Sequence, residues 1–188
     1  MSYLTPLTGL SAELLAQHGV PLPQALATLR AALPRDAVLV GQNIGADVKW
    51  LGLREGEDFR GLLDLQGLWR VFNTQYNSWS VFNQEHLARV LLGVDAAQCV
   101  PACCRLPSPL LTACACREAH NAVTDAIKSM RLFNMHTHLR ADPAQLSAAQ
   151  SALLTAQQLP SFARRNPSFE GCCMGNRKTC TCGGTFFY

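Results

Sequence analysis

Residues 38–53, VLVGQNIGADVKWLGL, decide how the chain is read. Ala37 and the four residues after it form a short, apolar, β-branched run, which predicts a buried strand. From Asn43 to Leu53 the pattern turns helical, with Ile44, Val48 and Leu51 on one apolar stripe. Asp47 falls between them on the same face. A carboxylate on a core-facing stripe is costly unless it is paired, hydrogen-bonded or bound to a metal.

A second segment, HNAVTDAIKSMRLF (120–133), repeats the arrangement. Asn121 precedes Asp125 by four positions, as Asn43 precedes Asp47, and asparagine is a good N-capping residue. The predicted stripe of this helix is Ala122, Ala126, Ser129 and Phe133, and Asp125 lies on it. Placement in a first helical turn recovers only about 0.3–1 kcal/mol of the cost of such a carboxylate. Each aspartate, taken singly, can cap or bridge within its own helix. Two in the same setting favour a shared purpose. Two aspartates facing one cleft suit Mg²⁺ or Mn²⁺, which take oxygen ligands and retain water. A pair of such ions, about 3.5–4 Å apart, supports in-line phosphodiester hydrolysis. His120 sits at the loop–helix junction, off the apolar face, where an imidazole can deprotonate an attacking water near neutral pH. A loop histidine without a role is the alternative.

Outward from these segments, helices alternate with short apolar strands over the first 135 residues, which argues for an α/β layer fold. Ser11 caps a predicted helix, SAELLAQH, that stops at Gly19. Pro21 and Pro23 open the next, with Leu22, Leu26, Leu29 and Leu33 on its apolar face and Pro34 at its end. GLLDL (61–65) reads as a strand, NTQYNSWS (73–80) as a polar and aromatic loop, and Gln84 to Leu92 as a helix closed by Gly93. Residues 94–118 hold prolines and cysteines without periodicity and read as a long loop. A last helix starts at Asp142-Pro143 and is expected to stop at Pro160.

Composition narrows the classes. The 188 residues are 48% hydrophobic and 15% charged, which is globular and not disordered. A net charge of +3 permits an anionic partner without the basic balance of an electrostatic binder. No apolar run reaches the roughly 18 residues of a membrane span. MSYLTPLTGL has no basic stretch followed by an apolar one, so no signal peptide is expected. With nine cysteines and no secretion signal, the expectation is reduced thiols and an intracellular location, cytoplasmic or nuclear.

These motifs resemble those of the DEDDh group of 3′–5′ exonucleases, which have a ribonuclease-H-like fold. YLTPLTGLSAELL (3–15) is similar to the segment where that family writes Thr-Gly-Ile/Leu before a helix. VLVGQNIGADVKWLGL is similar to its second motif and HNAVTDAIKSMRLF to its third. LLDLQGLW and FNQEHLARVLLG fall where the family places a connecting strand and helix. The likeness covers about residues 3–135. It implies that Asp47 and Asp125 are two of four metal-site acids and that His120 is the general base. It implies that Asn43, Thr8, Gly9 and Leu10 lie beside the terminal nucleotides of a single-stranded 3′ end, RNA in preference to DNA. The family's first motif, Asp-x-Glu on the opening strand, would lie upstream of Tyr3. The expected fold is therefore an exonuclease fold missing its first strands, which leaves AVLVG as an exposed edge and the chain inactive as written.

The expected organisation is a partial exonuclease-like domain over 1–138, an accessory helix over 139–162 and a cysteine-rich tail over 163–188. In the tail, a hairpin around Gly175-Asn176 would bring Cys172 and Cys173 towards Cys180 and Cys182. The spacing lacks the C-x₂-C knuckle of zinc sites, so free thiols are the first reading and Zn²⁺ the second. The loop set Cys99, Cys103, Cys104, Cys114 and Cys116 is weaker still as a metal site. Arg164, Arg165, Arg177 and Lys178 read as a solvated surface, with phosphate contact as the alternative. Beside the exonuclease stand a catalytically inactive nucleic-acid-binding or scaffold protein of the same fold and, third, a small zinc module on a helical remnant.

Overall fold

The computed structural model describes residues 3, 5–93, 122–160, 168–169, 172–174, 181 and 185–186. The chain divides into two compact units. One comprises Val20–Asp95 with Ala122–Ala156, and the other Met1–Gly19, Ala96–Asn121 and Gln157–Tyr188.

In the second of these units, α1 (Thr5–Thr8) is a single turn and α2 (Ala12–His18) begins at Ser11, whose side chain accepts from the Leu14 N–H.

The larger unit opens with α3 (Leu22–Ala32), in which Leu26, Leu29 and the C-cap Leu33 are half-buried, while Leu22, expected on the same face, is exposed. Strand β1 (Val38–Gly41), helix α4 (Ile44–Leu51) and strand β2 (Gly61–Asp64) then form a β-α-β unit. β1 and β2 pair in parallel, in register from Val38 opposite Gly61 to Gly41 opposite Asp64. A parallel pair needs a crossover, and α4 with its following loop supplies it. Helix α5 (Leu65–Trp69) follows β2 directly, capped by Asp64. β3 (Val71–Asn73) and β4 (Ser78–Ser80) form an antiparallel hairpin, so the segment 73–80 read from sequence as a loop holds the end of one strand and the whole of its partner. Its turn is made by Asn73, whose side-chain oxygen accepts from the Gln75 N–H at 3.0 Å, and by Asn77 at φ 47°. Asparagine tolerates both roles, which is why a polar run can turn a ribbon here.

Helix α6 (Gln84–Leu92) starts at Asn83, whose side chain accepts from the His86 N–H, and ends at Gly93 with φ 64°. Helix α7 (Ala122–Leu139) and helix α8 (Pro143–Thr155) complete the unit. α8 ends five residues before Pro160, earlier than the proline predicted.

The core joins α5, α6, α7 and α8. Leu65, Trp69, Phe82, Leu87, Leu132 and Leu153 pack together with little or no exposure, and Val40 and Val71 bring β1 and β3 against them. Burying each such side chain is worth about 1.5–3 kcal/mol. The helix predicted as an accessory thus contributes Leu153 to the centre of the core. Returning to the other unit, the tail contributes a three-stranded sheet of β5 (Ser168–Phe169), β6 (Cys172–Cys173) and β7 (Thr185–Phe186). β6 pairs antiparallel with β5 and parallel with β7, while the hairpin expected around Gly175-Asn176 lies outside the described residues. Cys173 is buried.

Candidate functional site

In open parallel sheets, ligands bind outside the carboxyl ends of the strands. Here those ends are Gly41 and Asp64. Gly41 is buried, and a Cβ there would stand 2.9 Å from Ile44 Cδ1, so that side chain would have to shift. The chain turns tightly out of β1. Asn43 completes the turn in the left-handed conformation, at φ 54° and ψ 36°. Its backbone N–H donates to Asp64 Oδ1 at 3.1 Å, and the Gln66 N–H donates to the same oxygen at 2.8 Å. One carboxylate thus ties the two strand ends together. The expected capping of α4 by the Asn43 side chain is not made, because a residue at positive φ does not present its side chain to the following N–H groups as an extended cap does.

Two glutamine amides extend this corner. Gln42 Nε2 donates to the Phe82 carbonyl at 2.8 Å. Two residues on, Gln84 Nε2 donates to the Asp125 carbonyl at 2.8 Å and to Ser129 Oγ at 2.7 Å. The exit of β1 is in this way linked to the first turn of α7. Gln42 Oε1 is buried without a hydrogen-bond partner.

The two aspartates differ. Asp125 is half-buried on the inner face of α7, as its position predicts, in line with buried Ser129 and Leu132. The rest of that stripe is corrected: Ala122 and Ala126 are exposed, and Ile127, Lys128 and Met135 share the inner side with Phe133. Asp47 is exposed, not core-facing. An eight-residue helix turns its first-turn acid outward at little cost, and Ile44, Val48 and Leu51 alone make its half-buried stripe. Asp125 Oδ1 accepts from Lys128 Nζ at 3.1 Å, with about a quarter of each side chain exposed.

Among the described residues, no group of three or more His, Cys, Asp or Glu side chains stands close enough to hold a metal ion. His120 and Asn121 lie outside the described residues, as do Cys99, Cys103, Cys104, Cys114 and Cys116 and the tail residues Cys180, Cys182, Arg164, Arg165, Arg177 and Lys178. Thr8, Gly9 and Leu10 form a self-contained turn in the other unit. Thr8 Oγ1 donates to the Tyr3 carbonyl at 2.7 Å and accepts from the Leu10 N–H at 3.1 Å, while Thr5 Oγ1 donates to the Leu10 carbonyl at 2.6 Å. Gly9 supplies the positive φ, 70°, that this turn requires.

Sequence reasoning missed Gln42, Gln84 and Lys128. Lys128 was visible at i+3 from Asp125, a spacing at which helical ion pairs form. The glutamines carry no local signal, because their partners are 40 or more positions away.

No protein-family model and no curated protein matches the chain. Among solved structures, the chain is similar to one titled as the Neurospora crassa Pan2 catalytic unit, protease and nuclease domain. The TM-score is 0.59 at 15% sequence identity, over 84% of this chain. The match spans only 22% of the length of that chain. No helix among the described residues is long and apolar enough to cross a membrane. The likeness is one of fold, and at that level it agrees with the mixed α/β architecture.

Proposed function

We propose that this chain is a metal-dependent 3′–5′ exonuclease domain acting on single-stranded 3′ ends, RNA in preference to DNA. The observation that carries the reading is the fold likeness over most of the chain to a structure titled with a nuclease domain. The motif resemblance supports it independently. Asp47 and Asp125 are the metal-binding carboxylates, and their hard oxygen donors fit Mg²⁺ or Mn²⁺ better than Zn²⁺. When bound, such ions supply Lewis-acid stabilisation of the charge that develops on the phosphate. His120 accepts the proton of the attacking water on its imidazole. Asn43 lies beside a terminal nucleotide, and the motif resemblance gives Thr8, Gly9 and Leu10 a nucleotide-binding role. A second reading, a non-catalytic nucleic-acid-binding protein of the same fold, is favoured by one observation: Lys128 already neutralises Asp125.

One assay separates the two. A 5′-labelled single-stranded RNA is incubated with the protein, with Mg²⁺ or Mn²⁺, with Zn²⁺, or after chelation. In protein that also carries the Asp-x-Glu strand of the resemblance, the enzyme reading expects a ladder of shortened products with Mg²⁺ or Mn²⁺ and little with Zn²⁺ or after chelation. His120→Ala lowers turnover about 10²–10⁴-fold while leaving binding nearly intact. Binding with no shortening under any condition would favour the second reading, and trimming that survives chelation would remove Asp47 and Asp125 from the site.

A further inference from the structure

The β3–β4 hairpin presents its two faces unequally. Val71 turns inward against the core, while its neighbour Phe72 is 42% exposed. Trp79, directly opposite Phe72 across the ribbon, is 54% exposed, and Tyr76 at the turn is 70% exposed. The Phe72 and Trp79 rings meet edge-to-face, with centroids 5.5 Å apart and planes at 74°. The Arg70 guanidinium lies over the Trp79 ring, 4.5 Å from its centroid. From Arg70 to Asn83 the chain carries no carboxylate, so Arg70 is the one charged side chain of this stretch.

The cross-strand aromatic pair helps to hold the ribbon, and such pairs contribute modestly to sheet stability. That role does not require three large rings to stay in solvent or an arginine to be stacked above one of them. The patch is mainly aromatic, with Val81, 52% exposed, following β4, is flanked by amides in the turn, and carries the Arg70 cation. Flat rings beside a guanidinium suit one kind of partner: unpaired bases on an anionic backbone, which stack on aromatic faces whatever their sequence.

We infer that the outer face of this hairpin, built from Arg70, Phe72, Tyr76 and Trp79, is a stacking platform for single-stranded nucleic acid. The inference rests on the nucleic-acid reading above and names a binding surface separate from the Asp47 and Asp125 carboxylates. Trp79 takes a base on its free ring edge or face, Tyr76 takes a second at the tip, and Arg70 meets the phosphate between them.

The test measures binding of a fluorescently labelled 12-nucleotide single strand to the intact chain in EDTA, so that cleavage does not intervene. Parent, Trp79→Ala, Trp79→Phe, Tyr76→Ala and Arg70→Ala proteins are compared, and a urea midpoint checks the fold of each. Trp79→Ala is expected to weaken binding about 10-fold, with Trp79→Phe restoring most of the loss and a duplex of the same length indifferent to the change. Single-strand binding that is equal in parent and Trp79→Ala would overturn the platform and leave the nuclease reading standing. No single-strand binding by the parent would overturn both. Self-association of the parent that Trp79→Ala abolishes, with no effect on strand binding, would reassign the face to a second copy of the chain.

Discussion

Lys128 is the residue on which the candidate site turns. Its ion pair with Asp125 is partly exposed, so removing it costs at most about 1 kcal/mol of stability. Its effect on cation binding is larger in consequence, because a metal at Asp125 must displace it. Lys128→Met is therefore expected to tighten Mn²⁺ binding several-fold by calorimetric titration, with little change in the urea midpoint. Weaker Mn²⁺ binding in that variant would show that Lys128 supports the site and does not compete with it. His136 makes a separate prediction at the same scale. Its ring packs edge-to-face on Trp69, with centroids 5.1 Å apart. Burial, and then the nearby Arg140 charge, hold its pKa below the ordinary 6.5. The unfolded chain thus binds this proton more readily than the folded one. The stability from keeping His136 neutral is full above pH 6.5 and is lost as pH falls through the lower folded value. Urea midpoints should drop across that window, and His136→Gln should flatten the drop. An equal drop in His136→Gln would assign the loss to other groups.

Among the elements, those whose ends are written into the sequence were legible. Ser11 and Asp142 cap α2 and α8, and Gly93 closes α6 at positive φ, as capping chemistry requires, while Gly19 ends α2 in an extended conformation. What the sequence left obscure depends on tertiary partners. The β3–β4 ribbon was hidden because its exposed rings break the alternation that marks a half-buried strand. The early end of α8 coincides with a contact from another helix: His86 Nε2 lies 3.0 Å from the Leu153 carbonyl, which near the helix end has no intrahelical donor. A carbonyl only accepts, so Nε2 carries the proton, and Nδ1 accepts from Arg89 Nη2 at 3.3 Å. The ring also stacks on Phe82, with centroids 5.2 Å apart. His86→Leu keeps the bulk and orphans the carbonyl, and should destabilise the protein by about 1–3 kcal/mol in urea denaturation. A cost below a few tenths would mean that the α6–α8 contact is apolar packing alone. Asp64→Ala, which removes the oxygen that accepts from the Asn43 and Gln66 N–H groups at the strand ends, is expected to cost about 0.5–2 kcal/mol through loss of the α5 cap.

At the scale of the whole molecule, the α/β class followed from the alternation of elements, and the likeness of folds agrees with it. The half-buried placement of Asp125 was legible because an inner-face carboxylate stands out in a chain only 15% charged. Asp47 was misread as inward-facing, because a stripe of three residues fixes a helix face less tightly than a longer one. The same sparse charge bears on how the molecule would hold a nucleic acid. Sixteen basic and thirteen acidic residues leave a net charge of +3, so no long electrostatic footprint is available. If stacking on the β3–β4 ribbon carries the affinity, few counterions are released on binding. For single strands the slope of log K against log salt is about −0.7 per phosphate neutralised. Arg70 and one or two further cations then give a slope of about −1 to −2. Titration of the same 12-nucleotide strand between low and high salt, in EDTA, measures it directly. A slope steeper than about −4 would mean a broad basic surface engaging six or more phosphates, and the affinity would then belong to charge and not to the aromatic ribbon.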